Sequence, residues 1–313
     1  MFTHIFLLLA IYSIMWYNYT YKIILIVRYY IMNELLEKLD KIATECEINT
    51  YRISISTADG FETLNRLPAN PCQDCYSIAK LFCVTAIGML FDEGKLTPAT
   101  TVSEILAEEL KEYGIPAEKW ANITLDHIMR HEIGFEKGFL DIDTEDITKY
   151  PTDDFLFMVL DRELVYAPGE TRVYSDAAYY LISRVITKIS GERLDDFLMD
   201  RLFSKIGCRE VAWSKCPRKY PVGATGLYIR SDDVVKLGRI YLDGGVWQGE
   251  RIISEEWIRI VLERGYELRE FGNGFSKGGM RGQRLYVNFD KNVAVAWHSF
   301  DPDRKNTALG DAL

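Results

Sequence analysis

The chain of 313 residues is long enough for one large domain or two modest ones, and its core needs no disulfide bonds or metal ions to hold it together. With 48% hydrophobic and 27% charged residues, its composition is that of an ordinary globular protein, which excludes a disordered or fibrous chain. The formal net charge of −9 and the absence of any Lys/Arg block argue against nucleic-acid binding and against an anionic membrane surface as partner.

Residues 1–31 form a hydrophobic N-terminal extension that polar residues and Lys22 interrupt. Its first apolar run is too short to span a bilayer, and only His4 stands where a secretory signal carries basic residues. Met32 then begins an amphipathic helix predicted at about 33–46. The extension is therefore either an anchor or a segment outside the folded unit, which spans 32–313. The second alternative is favoured, and membrane contact is expected only in the first.

Six cysteines stand at positions 46, 72, 75, 83, 208 and 216. Cys72 and Cys75 have the spacing of half a zinc site, but no second pair of cysteines or histidines follows at the spacing of a zinc finger or ribbon. We therefore interpret the six as reduced and mostly buried thiols. That interpretation favours a reducing compartment, and thus the cytoplasm, unless the extension is a membrane anchor.

The predicted elements after the first helix begin with a hairpin around an Asp-Gly turn and a hydrophobic helix within 74–94. Residues 95–165 are predicted to be mainly helical and rich in loops. The remaining predictions are helices near 176–190, 194–207, 231–243 (with Ser231 as N-cap) and 254–263, then a hairpin at 283–300 and a short polar tail without an obvious helix.

Strands therefore lie at both ends of the chain, and helices fill the middle. This order predicts an α+β fold in which the terminal strands join in one antiparallel sheet flanked by helices. A mostly helical subdomain is expected at about 95–225, and the active site is expected in the cleft between the two parts.

Ser77 and Lys80 stand three positions apart at the start of the hydrophobic helix, so they share one helix face. A nearby ammonium and the positive end of the helix dipole both favour loss of the serine proton, as a nucleophile requires. The alternative is a serine N-cap beside a lysine that reaches solvent. A short motif of this kind often matches by chance, so its interpretation depends on partners elsewhere in the chain.

Two such partners are present. Tyr174 follows a Pro-Gly turn and precedes a helix, and Lys277 stands beside Gly278 and Gly279 at a strand. Glycines at that place allow a substrate to approach the backbone closely. A tyrosine between two lysines is stabilised as a phenolate, which can act as a base.

With these motifs in this order, the chain resembles the β-lactamase-related serine hydrolases. The resemblance lies on the side of class C β-lactamases, D-alanyl-D-alanine carboxypeptidases and family VIII esterases. It runs from about residue 50 to 300 and includes the stretches 130–134, 166–176 and 223–258. It implies the transpeptidase fold of β-lactamases and penicillin-binding proteins, a small-molecule substrate, and chemistry without a metal or an organic cofactor.

The resemblance also implies a role for each motif residue. Ser77 would be the acylated nucleophile, with Lys80 assisting proton transfer, and Tyr174 would be the general base and then the acid. Lys277 would supply positive charge from the facing strand. The backbone N–H groups of Ser77 and Met280 would form the oxyanion hole.

Two departures from the family pattern bear on the substrate. Asp176 stands where relatives commonly have an asparagine that donates to the substrate, and Gly278 replaces a hydroxyl residue that helps to bind a carboxylate in β-lactamases. With Gly279, these two are the predicted substrate-binding residues. Both changes favour an ester or amide without that carboxylate over efficient β-lactam hydrolysis. The alternatives are a penicillin-binding or sensor protein that acylates and turns over slowly, a D-alanyl-D-alanine carboxypeptidase, or a non-catalytic binding domain. The last is disfavoured, because such a domain has no need of a lysine in a buried cleft.

Three other features are weaker candidates. Ser276 lies in a Gly-x-Ser-x-Gly pattern, but glycines and a strand follow it instead of the helix that a nucleophile elbow requires. His127 and His131 have the spacing of a metal pair, yet no third ligand is apparent, so we expect packed or hydrogen-bonded histidines. His298, in the last strand, is expected near the sheet edge without an assigned role.

Overall fold

The computed structural model describes residues 32, 34–58, 60–303 and 305–313. The hydrophobic extension at 1–31 lies outside the described residues, so its role stays a prediction. In the described part of the chain, no helix is both long enough and apolar enough to cross a membrane.

The strands and helices are numbered in chain order. The strands are β1 Thr50–Thr57, β2 Gly60–Asn65, β3 Cys72–Asp74, β4 Ala212–Trp213, β5 Leu227–Arg230, β6 Val246–Trp247, β7 Glu250–Arg251, β8 Arg269–Glu270, β9 Gly274–Gly278, β10 Arg284–Asn288 and β11 Val293–Ser299. The helices are α1 34–45, α2 Ala79–Asp92, α3 Val102–Ile105, α4 Ala107–Glu112, α5 Leu125–Met129, α6 Phe155–Asp161, α7 Asp176–Ser190, α8 Leu194–Leu198, α9 Ser231–Leu242, α10 Glu255–Arg264 and α11 Thr307–Asp311.

A six-stranded antiparallel sheet in the order β2-β1-β11-β10-β9-β8 joins the two ends of the chain. On one face, Ile53, Ile55 and Trp297 pack in a cluster that includes residues of α1 and α11. On the other face, Gly238 lets α9 approach closely, because a Cβ atom there would lie 2.7 Å from Leu285 Cδ1. The predicted α+β fold with one sheet between helices is confirmed.

The helices α3 to α8 all lie between residues 102 and 198, within the range predicted for the helical subdomain. The helix α7 packs against α2 and α5. In α2 every residue from Ala79 to Leu90 is buried, as expected for a helix that is apolar on all sides. Consequently, the polar residues just before α2 lie at a junction between the sheet and the helical part.

Two predictions about helix ends are wrong. Ser231 is the first residue of α9 and not its N-cap, and its hydroxyl bonds instead to Ser54 Oγ of β1 at 2.8 Å. The tail does contain a helix, α11, whose Leu309 is fully buried against the sheet. One helical turn is too short to show an apolar period in sequence, so only packing on the sheet reveals it.

The predicted place of His298 near the sheet edge is also wrong. It lies in β11, which β1 and β10 flank on both sides. The side chain is buried, and its Nε2 lies 2.9 Å from Ile229 O. Its role is therefore structural, since it joins the sheet to β5.

Candidate active site

The candidate nucleophile Ser77 lies in a 3-10 turn, Tyr76–Ile78, between β3 and α2. The turn begins with a left-handed residue, Tyr76 at φ +48°, whose backbone N–H donates to Asp74 Oδ1 at 2.7 Å. The α-helix itself begins at Ala79, two residues later than the predicted start near Ser77. The hydroxyl is thus presented from a tight turn immediately before the helix.

Lys80 is fully buried beside this serine. Its ammonium donates to Ser77 Oγ at 3.1 Å, Asp176 Oδ1 at 2.7 Å and Ala224 O at 2.9 Å, so all three protons have acceptors. Burial alone would lower the pKa of Lys80, but the Asp176 carboxylate outweighs it, with help from Tyr174 and Glu267, and raises the pKa above the usual lysine value. Lys80 is therefore a cation at neutral pH.

Tyr174 completes the contacts of the serine. Its hydroxyl oxygen lies 2.8 Å from Ser77 Oγ, and Lys80 Nζ lies 4.7 Å from its ring centroid. The ring also packs on His131, with centroids 4.4 Å apart. The three motif residues that the sequence singles out as nucleophile, lysine and tyrosine are therefore in direct contact.

Asp176 occupies a different place from the one expected of a substrate-binding residue. It is the first residue of α7, and its carboxylate lies against Lys80 instead of in the cavity wall, because a buried ammonium needs a counter-charge. One of its oxygens also lies within 4.8 Å of one oxygen each of Asp141 and Asp143. Burial raises the pKa of Asp143, which accepts a hydrogen bond from Thr225 at 2.6 Å.

Lys277 belongs to a buried chain of charged and polar side chains that also contains Glu267 and His131. Its ammonium pairs with Glu267, whose second oxygen lies 2.6 Å from His131 Nε2. The backbone N–H of Ser175 donates to His131 Nδ1, so Nε2 carries the proton and donates to Glu267. Burial lowers the pKa of His131, which favours this neutral tautomer. Burial alone would raise the pKa of Glu267, but Lys277 and His131 have the larger effect and hold that pKa well below the usual value.

Sequence reasoning missed Glu267 entirely and treated His131 only as a packed or hydrogen-bonded residue. The structure agrees on the hydrogen bond and places the ring against Tyr174. Glu267 stands in the loop between α10 and β8 in a left-handed conformation, φ +59°. No local motif marks that position.

The glycines after Lys277 let β9 pass close to the nucleophile turn. A Cβ atom at Gly279 would lie 2.7 Å from Cys75 O, so no larger residue fits there without a shift of the backbone. Met280 follows and lines, with Ser77, Tyr174 and Lys277, a cavity of about 380 Å³. The strand β8 pairs only with the first part of β9, up to Ser276, which leaves the Lys277 edge open to this cavity.

The weaker candidates are not assembled into alternative sites. Ser276 lies inside β9, in a strand followed by a turn and another strand, which does not fit a nucleophile elbow. His127 Nδ1 accepts from Thr124 N at the start of α5, while His131 bonds to Glu267. Among the described residues, neither Cys72 nor Cys75 belongs to a group of three potential metal ligands.

Known proteins resemble the chain in sequence and in fold. The profile of the family described as Beta-lactamase matches residues 65–311. The 6-aminohexanoate-dimer hydrolase of Paenarthrobacter ureafaciens is 26% identical over 214 residues, which cover 64% of this chain and 53% of that protein. Penicillin-binding protein 4 of Amycolatopsis lactamdurans is 25% identical over 213 residues, which cover 57% of this chain and 53% of that protein. The chain thus spans about half the length of these relatives.

A solved structure shows the same fold. A protein of Bacillus anthracis described as a 6-aminohexanoate-dimer hydrolase matches with a TM-score of 0.72 at 17% identity, over 85% of this chain and 78% of that one. The family match extends over most of the chain and contains every residue of the candidate site. The protein therefore belongs to the beta-lactamase family of serine hydrolases.

Proposed function

We propose that this hydrolase acts through an acyl-enzyme on Ser77. The observation that carries the proposal is that Ser77 Oγ lies 3.1 Å from Lys80 Nζ and 2.8 Å from the Tyr174 hydroxyl, at a cavity wall. A serine becomes a nucleophile when a base takes its proton and a nearby positive charge stabilises the oxygen. Tyr174 and Lys80 supply these two functions.

Tyr174 is the general base of the proposed mechanism. Lys80 is protonated and already donates to three oxygens, so it stabilises negative charge on Ser77 Oγ and on the phenol and does not itself take the proton. After Ser77 attacks the carbonyl carbon, Tyr174 passes the proton to the leaving group. It then takes a proton from the water that attacks the acyl-enzyme, and returns that proton to Ser77 Oγ when the bond between Oγ and the acyl group breaks.

The oxyanion of each tetrahedral intermediate is bound by the backbone N–H groups of Ser77 and Met280. The close approach of Gly279 to Cys75 O supports this assignment, because it holds the end of β9 against the nucleophile turn. One such donor is typically worth about 3 kcal/mol of transition-state stabilisation. Lys277, neutralised in part by Glu267, borders the same cavity.

The proposed substrate is a small ester or amide, with β-lactams hydrolysed slowly. The family's common asparagine can donate an amide N–H to the substrate, whereas the Asp176 carboxylate only accepts and is committed to Lys80. A relative named for hydrolysis of the 6-aminohexanoate dimer supports a substrate other than a β-lactam.

A second candidate is a penicillin-binding protein that acylates and turns over slowly, or a D-alanyl-D-alanine carboxypeptidase. The relative named penicillin-binding protein 4 favours this class. The two candidates share Ser77 and the acylation step, and they differ in the rate at which the acyl-enzyme is hydrolysed.

Stopped-flow kinetics of the full chain on a p-nitrophenyl ester and on a chromogenic cephalosporin tests the proposal. We expect steady ester turnover and slow cephalosporin cleavage, and mass spectrometry should locate the acyl group on Ser77. Ser77→Ala should remove both activities, whereas the matched Ser276→Ala variant should retain them. A single burst on the cephalosporin without turnover would support the second candidate, and unchanged activity of Ser77→Ala would refute both.

A further inference from the structure

Tyr174 lies in a segment without regular structure, so its position depends on the residues around it. Residues 171–175 belong to no helix or strand, and α7 begins only at Asp176. The side chain is 41% exposed, and an exposed side chain on an irregular segment keeps more conformational freedom than one in the core. A base whose oxygen must stay 2.8 Å from Ser77 Oγ therefore needs further contacts that hold it in place.

A single residue, His131, holds the chain on both sides of this tyrosine. Its carbonyl oxygen accepts from Val173 N at 2.8 Å, and its ring nitrogen Nδ1 accepts from Ser175 N at 3.2 Å. Between these two hydrogen bonds, the imidazole packs on the Tyr174 ring, with centroids 4.4 Å apart and an interplanar angle of 35°. His131 thus contacts the backbone before and after Tyr174 as well as the aromatic ring itself.

His131 is itself held in one orientation. It is 2% exposed, and its second ring nitrogen, Nε2, lies 2.6 Å from Glu267 Oε1. Its ring also contacts Tyr179 of α7, with centroids 5.3 Å apart. In the described part of the chain His131 makes no hydrogen bond to Ser77. Its contacts therefore reach the nucleophile through Tyr174.

The carboxylate of Glu267 determines which ring nitrogen of His131 can accept a hydrogen bond. A carboxylate only accepts, so Nε2 must carry the proton that it donates to Glu267, and Nδ1 keeps a lone pair for Ser175 N. In the other tautomer, an N–H at Nδ1 would face the N–H of Ser175, and this bond would be lost. The carboxylate is anchored in turn, because it also pairs with Lys277 of β9.

We propose that His131 positions the general base Tyr174, and that Glu267 fixes the tautomer that allows it to do so. The inference rests on the proposed function and adds two positioning residues to it. The buried chain from Lys277 to His131 therefore has a task in catalysis in addition to balancing charge.

The effect should appear in the rate of acylation and not in substrate binding, because His131 is not among the residues that line the cavity. Misplacement of a catalytic group by about 1 Å can cost about 10²-fold in rate. Pre-steady-state bursts of the full chain on a p-nitrophenyl ester separate the possible roles. Misplacement lowers the maximal burst rate, whereas a variant that is merely less stable loses burst amplitude, since fewer molecules are folded.

Two substitutions of His131 are matched in backbone and differ in the acceptor. Asn and Gly both tolerate the left-handed conformation of this position, φ +62°. His131→Asn offers its Oδ1 near the place of Nδ1 as acceptor for Ser175 N, and His131→Gly offers none. We expect the maximal burst rate to fall by about 10²-fold in His131→Gly and by about tenfold or less in His131→Asn. His127→Asn, the same change at the neighbouring histidine of α5, should keep the rate of the wild type.

The tautomer can be measured directly by ¹⁵N NMR of the histidine side chains. The chain has four histidines, and the signals lost in His131→Asn assign the ring of interest. We expect Nε2 to be protonated and Nδ1 to be unprotonated at neutral pH. Glu267→Gln presents both a donor and an acceptor to Nε2, so the second tautomer should become populated and the burst rate should fall. A wild-type ring with its proton on Nδ1 would overturn the proposal.

The outcomes separate this inference from the proposed function. Equal burst rates in the wild type and both His131 variants, or a loss confined to burst amplitude and urea stability, overturn the positioning role alone. Activity that is unaffected by Ser77→Ala overturns the proposed function, and crystal structures then test the positioning without catalysis. The Tyr174 hydroxyl should lie within hydrogen-bond distance of Ser77 Oγ in the wild type and move away in His131→Gly; an unmoved hydroxyl contradicts the inference. If His131→Gly does not fold, the burst rate of His131→Asn and the tautomer of the wild type decide the question.

Discussion

Asp176 Oδ1 lies 2.7 Å from Lys80 Nζ, and the two side chains are 9% and 0% exposed. This buried ion pair joins the first residue of α7 to the first turn of α2, beneath the candidate nucleophile. Burial alone would lower the pKa of Lys80, and the Asp176 carboxylate is the largest of the effects that raise it. The pair therefore keeps the lysine charged and forms one of the contacts between two central helices.

Replacing the carboxylate should destabilise the protein. We expect Asp176→Asn to lower the free energy of unfolding by about 3 kcal/mol, because it leaves a buried ammonium without its counter-charge. Asp143→Asn is the matched control: it removes a neighbouring carboxylate that does not contact Lys80, and should be neutral or slightly stabilising, because like-charge repulsion is relieved. Urea unfolding of the two variants measures the difference. Equal losses in both would contradict a specific ion pair.

Loss of the Tyr174 hydroxyl should reduce catalysis with little effect on folding. The side chain is 41% exposed, and its hydroxyl contacts Ser77, so Tyr174→Phe keeps the ring packed on His131. We expect acylation to slow by about 10² to 10⁴, the usual contribution of a general base. Tyr228→Phe, another exposed tyrosine, serves as control. Pre-steady-state bursts on a p-nitrophenyl ester report the rate, and a reduction of less than twofold would exclude Tyr174 as the base.

The parts of the site that are local in sequence were predictable. Ser77 and Lys80 are neighbours because three residues make nearly one helical turn, and the apolar residues of α2 indicated a buried helix. The two terminal hairpins followed from alternation and turn residues, and their pairing in one sheet was expected from strands at both ends.

The long-range partners were not predictable. Glu267 reaches Lys277 ten positions on and His131 136 positions back, from a loop whose left-handed residue no local pattern marks. Likewise, the alternation of β10 shows that Arg284 lies on one face, but only the strand register places it opposite Gly278. A buried charged side chain needs a partner of opposite charge, and that partner often lies far away in the sequence, so that only the fold shows the pair.

Asp74 should make stability fall as the pH rises. Burial, reinforced by the charge of Asp143, raises the pKa of Asp74 from 3.8 to about 7. Between about pH 4 and pH 7, the Asp74 carboxyl is therefore protonated in the native state and ionised in the unfolded chain. The protonated Asp74 carboxyl therefore contributes about 4 kcal/mol to the free energy of unfolding. This contribution is fully present below about pH 4 and is lost as the pH rises through about 7.

The Asp74→Asn variant isolates this effect, since its amide oxygen can still accept from Tyr76 N. We expect the variant and the wild type to have similar stability at pH 4 and the variant to be more stable at pH 8. Urea unfolding across this range provides the measurement. A difference that is constant with pH would show that the Asp74 carboxyl does not titrate in this window.

Glu267 should have the opposite pH dependence. Lys277 and His131 hold its pKa well below the usual value in spite of burial. The stability that Glu267 contributes is therefore present above the unfolded pKa of about 4.3 and is lost as the pH falls below it. Glu267→Gln should cost about 3–5 kcal/mol at pH 7, because Lys277 remains buried without a counter-charge.

The difference in free energy of unfolding between Glu267→Gln and the wild type should become smaller from pH 5 to pH 3. In this range the wild-type carboxylate takes up a proton when the chain unfolds. The exposed Glu270→Gln variant on β8 should match the wild type at every pH. Chemical unfolding at several pH values gives both curves. If Glu267→Gln is as stable as the wild type at pH 7, the carboxylate does not stabilise Lys277, and the buried chain from His131 to Lys277 has no energetic role in the fold.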